Sequence, residues 1–337
     1  MGKIILGGLL AVCTVTVLFL LGADEDDQTL VEATPYTGEI PNHYVYIIDQ
    51  GEIFKCLVNN KTGNLADCPV TGVGQSIGKD PTDIAFIPGK YAYISHSGVA
   101  GITQCQMDSE GDLQACQFTT LDIPKKNSSI ALHKNHLWHA YLTPDPSETG
   151  APSTVHKCDL TEDTGQINTC TDLAIEADTV TFQTFDETTY AYLGNLNSVE
   201  FIKCTVNAIG DFFNCKNPSE FYTFKLPAGV SFARLGAKIY AYIAEFGYYP
   251  HRTVVNYGQI SRCEVDPLGD FVQGSCVIAD PAGLKGGFVA PLYIDGIEIN
   301  GISYVYLLDR GTDTLPSAIW NCSLNAKGEL THCQDSG

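Results

Sequence analysis

Positive charge is what this chain has least of. Lys and Arg together number 19 against 39 Asp and Glu, a net charge of −20, and no basic run is longer than the pair Lys125–Lys126. A surface with that balance repels phosphate backbones and anionic lipid headgroups, so nucleic acid and membrane surfaces are excluded as partners. Catalytic signatures are missing too. The sequence contains no Gly-x-Ser-x-Gly, no His-Glu-x-x-His and no phosphate-binding glycine loop. No dense run of alternating acidic ligands marks a calcium loop, and no convincing amphipathic helix interrupts the chain.

What is present begins with an apolar segment, Ile4 to Gly22, after Lys3 and before the acidic "ADEDD". Residues 1–23 read as a secretory signal peptide or an uncleaved N-terminal anchor, either of which exports the body. Cys13 falls inside it. Residues 24–40 form an acidic linker, and "TLVEA" within them is a candidate closing strand.

The other twelve cysteines fall into successive couples: Cys56 with Cys68, Cys105 with Cys116, Cys158 with Cys170, Cys204 with Cys215, Cys263 with Cys276, and Cys322 with Cys333. Each couple encloses a turn signal, "NKTG", "SEGD", "EDTG", "NAIG", "DPLG" or "NAKG". Such turns join two short strands into a hairpin. In an oxidising compartment, evenly spaced cysteines form disulfides, here one per hairpin. Zinc is the competing reading, but couples this far apart without histidines fit a tetrahedral site badly. Counting outward from the turn pairs Cys56 with Cys68 if Asn60 faces Asn64. The same count sets Cys204 opposite Asn214, so that blade needs an extra bulge.

Upstream of each couple stands an alternating aromatic strand: "YVYII" from Tyr44, "YAYIS" from Tyr91, "HAYLT" from His139, "YAYLG" from Tyr190, "YAYIA" from Tyr240 and "YVYLL" from Tyr304. Before it, from the second repeat on, comes a further apolar run such as "DIAFIP", "TVTFQT" or "GVSFAR". Four short strands recurring about every 50 residues are the signature of a propeller blade. The expected fold is all-β: a six-bladed β-propeller of four-stranded blades over residues 41–337, with one hairpin disulfide per blade.

These repeats resemble the YVTN/lactonase-like β-propeller family, through "YAYISHSG" and "YAYLGNLNS". The likeness is closest to cysteine-paired variants in exported bacterial proteins, and it covers roughly nine-tenths of the chain as a repeat pattern. It implies an architecture and says little of chemistry.

Function is sought in the loops that vary. From aromatic strand to first cysteine the distance runs from 12 residues in the first unit to 23 in the fifth, whereas the cysteine turns hardly change. Variable loops on a fixed scaffold are where binding sits. The fifth loop offers Tyr248, Tyr249, His251, Arg252 and Tyr257 after Glu245, residue types suited to a protein or glycan contact. Asp49, Asp309 and Arg310 occupy comparable places. A pair of carboxylates near the axis can hold a cation, so calcium stays open as a cofactor, but no metal ligand set is assigned. His133, His136 and His139 span a strand, a turn and the next strand and are not expected to converge on a metal. Ser95 and His96 are adjacent on a strand and point to opposite faces. Asn60, Asn127 and Asn321 open Asn-x-Ser/Thr sequons, which matter only in a eukaryotic secretory pathway.

The expectation is therefore a secreted, periplasmic or cell-surface propeller that binds a protein or glycan outside the cell, rather than an enzyme. A lactonase-like hydrolase is the alternative. Another is a structural subunit that self-associates by lending its N-terminal strand to a second copy.

Overall fold

The fold is taken from a computed structural model. It describes residues 43–336 apart from 50, 76, 88, 97–98, 122–128, 134–135, 141–153, 196–200, 219–220, 247–257, 280–287 and 310–316. The segment read as a signal peptide or anchor and the candidate closing strand lie outside the described residues. Among the described residues there is no helix.

Six antiparallel sheets follow one another along the chain. Blade 1 contributes β1 (His43–Asp49), β2 (Glu52–Val58) and β3 (Leu65–Ala66). Blade 2 is β4 (Pro81–Ile87), β5 (Tyr91–His96), β6 (Gly101–Met107) and β7 (Leu113–Thr120). Blade 3 is β8 (Ser129–His133), β9 (His136–Ala140), β10 (Thr154–Leu160) and β11 (Ile167–Glu176). Blade 4 is β12 (Thr179–Phe185), β13 (Thr188–Gly194), β14 (Phe201–Val206) and β15 (Phe212–Lys216). Blade 5 is β16 (Pro227–Leu235), β17 (Lys238–Glu245), β18 (Gln259–Val265) and β19 (Val277–Ile278). Blade 6 is β20 (Pro291–Ile299), β21 (Ile302–Asp309), β22 (Ala318–Leu324) and β23 (Leu330–Asp335). Strands are hydrogen-bonded in chain order, so each blade is a meander running outward from the axis.

The core is shared between blades. Six apolar clusters are each built from two neighbours: Tyr46 and Ile48 of blade 1 pack on Ile84 and Phe86 of blade 2, and Val45 and Ile47 turn the other way onto Tyr306 and Leu308 of blade 6. Alternation along one strand thus feeds two different cores, because both faces of a blade are covered by its neighbours. The ring closes between blade 6 and blade 1 through the second of these clusters.

All six predicted disulfides are present, each with its Cα atoms 4.0 Å apart. The first cysteine of every couple is fully buried and belongs to the strand that follows the aromatic one. In four blades the turn is built by an Asn or Asp at its start, whose side chain accepts backbone N–H groups two and four residues on, as Asp108 does from Glu110 and Asp112 and Asn207 from Ile209 and Asp211. The expected bulge is found. The residue just before the second cysteine is left-handed at Asp67, Ala115, Asn214 and His332, with φ of 46°, 46°, 50° and 49°. That extra residue swings the second cysteine back onto the face of the first. In blade 1 the count differs from expectation: Asn59, not Asn60, faces Asn64, and the bulge at Asp67 absorbs the difference.

The aromatic strands do something the sequence did not disclose. In five blades the second tyrosine donates its hydroxyl to the turn glycine of the next blade: Tyr46 to Gly111 O at 2.5 Å, Tyr93 to Gly165 O at 2.7 Å, Tyr192 to Gly269 O at 2.7 Å, Tyr242 to Gly328 O at 2.7 Å, and Tyr306 to Gly63 O. These glycines have positive φ, 70° at Gly63 and 76° at Gly269, and a Cβ would strike the Tyr304 ring at the first and the Tyr192 hydroxyl at the second. Both conformation and space demand glycine. Blade 3 corrects the sequence register. Its aromatic pair is His136 and Trp138, not the stretch from His139, and the Trp138 ring lies against Gly210 where a tyrosine lies elsewhere. Replacing Tyr192 by Phe strips a buried carbonyl of its donor and should destabilise the protein by about 1–2 kcal/mol in urea unfolding. A loss below about 0.3 kcal/mol would mean the hydroxyl holds nothing.

Candidate functional site

The inner strands β4, β8, β12, β16 and β20 surround a cavity of about 460 Å³ on the propeller axis. Strands covered on both faces read as apolar runs, and a carboxylate inside one is conspicuous. Asp83 in β4 and Asp295 in β20 are two such residues, and both line this cavity.

Proline and a bulge set the geometry at one end of the channel. Pro81, Pro227 and Pro291 each begin an inner strand, where a missing N–H costs nothing, and the pairing slips by one residue directly after each. The slip brings Asp83, Gly229 and Tyr293 into equivalent positions. Bulges commonly re-aim a side chain in this way at functional sites. Gly229 is used because a Cβ there would lie 3.1 Å from the Leu292 carbonyl of the next blade.

Asp83 is held rigidly. Its Oδ1 accepts from Ile84 N at 2.7 Å and its Oδ2 from Ile130 N of blade 3 at 2.8 Å, and Ser129 also bonds to it. Burial outweighs these bonds and pushes its pKa up to about 8, with Asp295 adding repulsion. Asp295 accepts from Gly296 N at 2.8 Å and from the Ser231 hydroxyl of blade 5 at 3.3 Å, both at Oδ1. Burial raises it to about 7. The Tyr293 phenol is likewise pushed well up by burial, and feels both Asp83 and Asp178. Ser129, Thr179, Thr181, Gln183 and Ser231 supply neutral hydrogen-bonding groups to the same lining. Among its described residues there is no Lys, Arg or His.

Two of the residues expected from sequence, Glu245 and Asp309, hold backbone rather than face a ligand site. Glu245 and Asp309 end the second strands of blades 5 and 6, and both are buried. Glu245 accepts from Lys225 N at 2.6 Å, from Gln259 Nε2 at 3.2 Å and from the Ser261 hydroxyl. Asp309 accepts from Val289 N at 2.7 Å and Ala290 N at 2.8 Å. Each ties the chain entering its blade to the second strand, so these carboxylates hold backbone. Asp49 ends β1 in the corresponding place. Tyr248, Tyr249, His251, Arg252, Tyr257 and Arg310 lie outside the described residues.

His96 is fully buried, its Nε2 is 2.8 Å from the Thr103 hydroxyl, and burial lowers its pKa to about 4. Ser95 is 2.9 Å from the Thr82 hydroxyl, so the two neighbours do face apart. His133 stacks on Phe182 while His136 pairs with Asp159 at 2.8 Å. Among the described residues no three His, Cys, Asp or Glu side chains gather as a metal site. Asn321 is 3 % exposed, so its sequon is closed to modification in the folded chain.

No family model matches the chain, and no curated protein matches it in sequence. Solved structures do match in shape. A 6-phosphogluconolactonase-like protein from Bacteroides uniformis superposes with a TM-score of 0.52 at 14% identity, covering 89% of this chain and 82% of its own. The Dos1 propeller gives 0.47 at 12% identity over 88% of this chain and 70% of its own. An exo-1,5-alpha-L-arabinanase from a bovine ruminal metagenomic library gives 0.47 at 11% identity over 75% and 96%. At these identities the likeness is one of fold, and the fold is a β-propeller. Six disulfides are typical of proteins that work outside the cytosol.

Proposed function

We propose that the protein is an exported, disulfide-stapled binding module whose axial channel takes a neutral, hydroxyl-rich ligand, a glycan end or a similar polyol. One observation carries this reading: the described lining combines hydroxyls, an amide and two protonatable carboxyls with no basic side chain. Phosphorylated or carboxylated ligands find no counter-charge in such a lining, whereas sugar hydroxyls meet donors and acceptors together. The apolar segment at residues 4–22 and the disulfides support export. The long loop with Tyr248, Tyr249 and Arg252 is the second element of the proposal, a rim contact for a larger protein or glycan partner.

The test is a glycan array and calorimetry on oxidised residues 24–337, with metal content determined on the same sample. Asp295→Asn with Ser231→Ala should weaken binding about tenfold or more, the worth of one to two hydrogen bonds. Binding that ignores both substitutions would remove the channel as the site. A hydrolase is the second reading, favoured by two carboxyls near neutral pKa in one cavity, an arrangement that lets one donate a proton while the other accepts. Turnover of lactones or aryl glycosides, abolished by Asp295→Asn, would select it over simple binding.

A further inference from the structure

Asp83 and Asp295 share the channel but not one duty. Both oxygens of Asp83 are spent on the fold, Oδ1 on Ile84 N and Oδ2 on Ile130 N of the next blade, and the residue is 2 % exposed. Asp295 is tied by one oxygen alone. Its Oδ1 accepts from Gly296 N at 2.8 Å and from the Ser231 hydroxyl at 3.3 Å, while no hydrogen bond reaches Oδ2 among the described residues. Nor is Oδ2 sealed in the core. Asp295 is half-buried and lines the channel cavity, and Oδ2 is not among the buried polar atoms that lack a partner. The carboxyl is thus clamped in one orientation, with its second oxygen left for whatever occupies the channel.

A carboxylate oxygen offers two acceptor positions. Those of Oδ1 are filled by Gly296 and Ser231. Those of Oδ2 suit two hydroxyls on adjacent carbons, which lie close enough together to reach one oxygen, whereas a ketone, ester or ether brings no such donors. Burial deprives the ionised carboxyl of water and raises its pKa to about 7. Two donated hydroxyls return that stabilisation, because bonds to a charged acceptor are stronger than those between neutral groups. The groups around Asp295 bring no opposite charge. Asp83 repels its ionised form, and Ser231 on β16 is neutral. Tyr293 on its own strand and Tyr306, its partner on β21, stay protonated because burial pushes both phenols well up.

With the channel as the binding site, a reading on which this one rests, we propose that Asp295 selects ligands bearing two adjacent hydroxyls. They donate to Oδ2 of the carboxylate, so that binding expels a proton. The proton passes from the Asp295 carboxyl to solvent, and no bond of the ligand is made or broken. The site therefore fills at neutral pH and empties in acid.

Calorimetry with the methyl glycosides of glucose, mannose and galactose tests it on the oxidised protein, at pH 6 and pH 8, in two buffers of different ionisation heat. For a glycoside that binds, affinity should be about tenfold lower at pH 6 than at pH 8, following the fraction of Asp295 that is ionised. Close to one proton should leave per ligand at pH 6. At least one monodeoxy analogue of that glycoside should bind about tenfold more weakly, the worth of one bond to a charged acceptor. Asp295→Asn, which puts an amide NH2 where Oδ2 stood, should bind with one weakened affinity at both pH values and release no proton. If that variant folds poorly, the proton count on the parent still decides. The proposal is overturned, and the channel kept, if a glycoside is held as tightly at pH 6 as at pH 8 with no proton released, or if every monodeoxy analogue binds like the parent sugar. A pH slope that survives in Asp295→Asn overturns it too, by moving the effect to Asp83. If none of the three glycosides saturates the protein, this proposal falls together with the channel reading.

Discussion

Full reduction of the six hairpin disulfides is expected to unfold the protein at 37 °C. Each bridge closes a loop of 11 to 13 residues. In the chain-entropy model a loop of that size contributes about 2–3 kcal/mol, and six together rival the roughly 5–15 kcal/mol net stability of a whole domain. The effect should be graded by position. Cys204→Ala with Cys215→Ala frees only the outer hairpin of blade 4 and should cost about 2–3 kcal/mol without loss of the ring. The fluorescence of Trp138, which is buried in the core shared by blades 3 and 4, reports the transition during melts with and without reductant. A reduced protein melting within a few degrees of the oxidised one would show that the contacts between blades suffice and that the bridges guard against something other than unfolding.

Stability is also expected to fall as the medium becomes alkaline. Asp83 and Asp295 have folded pKa values raised to about 8 and about 7, against about 3.9 in an unfolded chain. Between those limits the folded state binds more protons than the unfolded one, so raising the pH draws the equilibrium toward unfolding. Their contribution is whole below about pH 4 and is lost as the pH passes through about 7 and about 8. A tenfold change in a proton's affinity corresponds to about 1.4 kcal/mol, so the combined loss amounts to several kcal/mol. His96 acts in the opposite sense: its pKa lowered to about 4 removes stability as the pH drops from about 6.5, but one histidine does not cancel two carboxyls. Asp295→Asn keeps both hydrogen bonds, because Ser231 and Gly296 N each donate to Oδ1 alone. That variant should melt as the parent does near pH 5 and lose less by pH 9. Parallel melting curves for the two across that range would show that Asp295 is ionised in the fold at all these pH values.

The ring, the blade count and the disulfide pairs were legible because each rests on spacing, and spacing survives in a bare sequence. Even the bulge before Cys215 was, since a two-residue periodicity that sets Cys204 against Asn214 cannot make a bond without one. The role of Tyr192 was hidden, because its partner Gly269 stands 77 residues ahead in the next blade. In blade 3 the tyrosine of "HAY" stands out in the sequence, whereas it is Trp138 that packs in the latch position, with a different polar end. Asp83 and Asp295 were visible only as acids inside apolar runs, "PTDIAFI" and "PLYIDGI". Glu245 and Asp309 were legible as special positions, yet nothing local distinguishes a carboxylate that meets solvent from one that holds its own backbone.

The five tyrosine latches all point the same way round, from a blade to its successor, and that of blade 6 points to blade 1. Five of the six repeats therefore carry the same hand, and in blade 3 the Trp138 ring lies against the socket glycine, Gly210, in its place. A gene that gained or lost one of these five repeats would encode no unmatched tyrosine hand. Such connections keep order but cannot count, so the number of blades rests with the wedge of side chains packed between them.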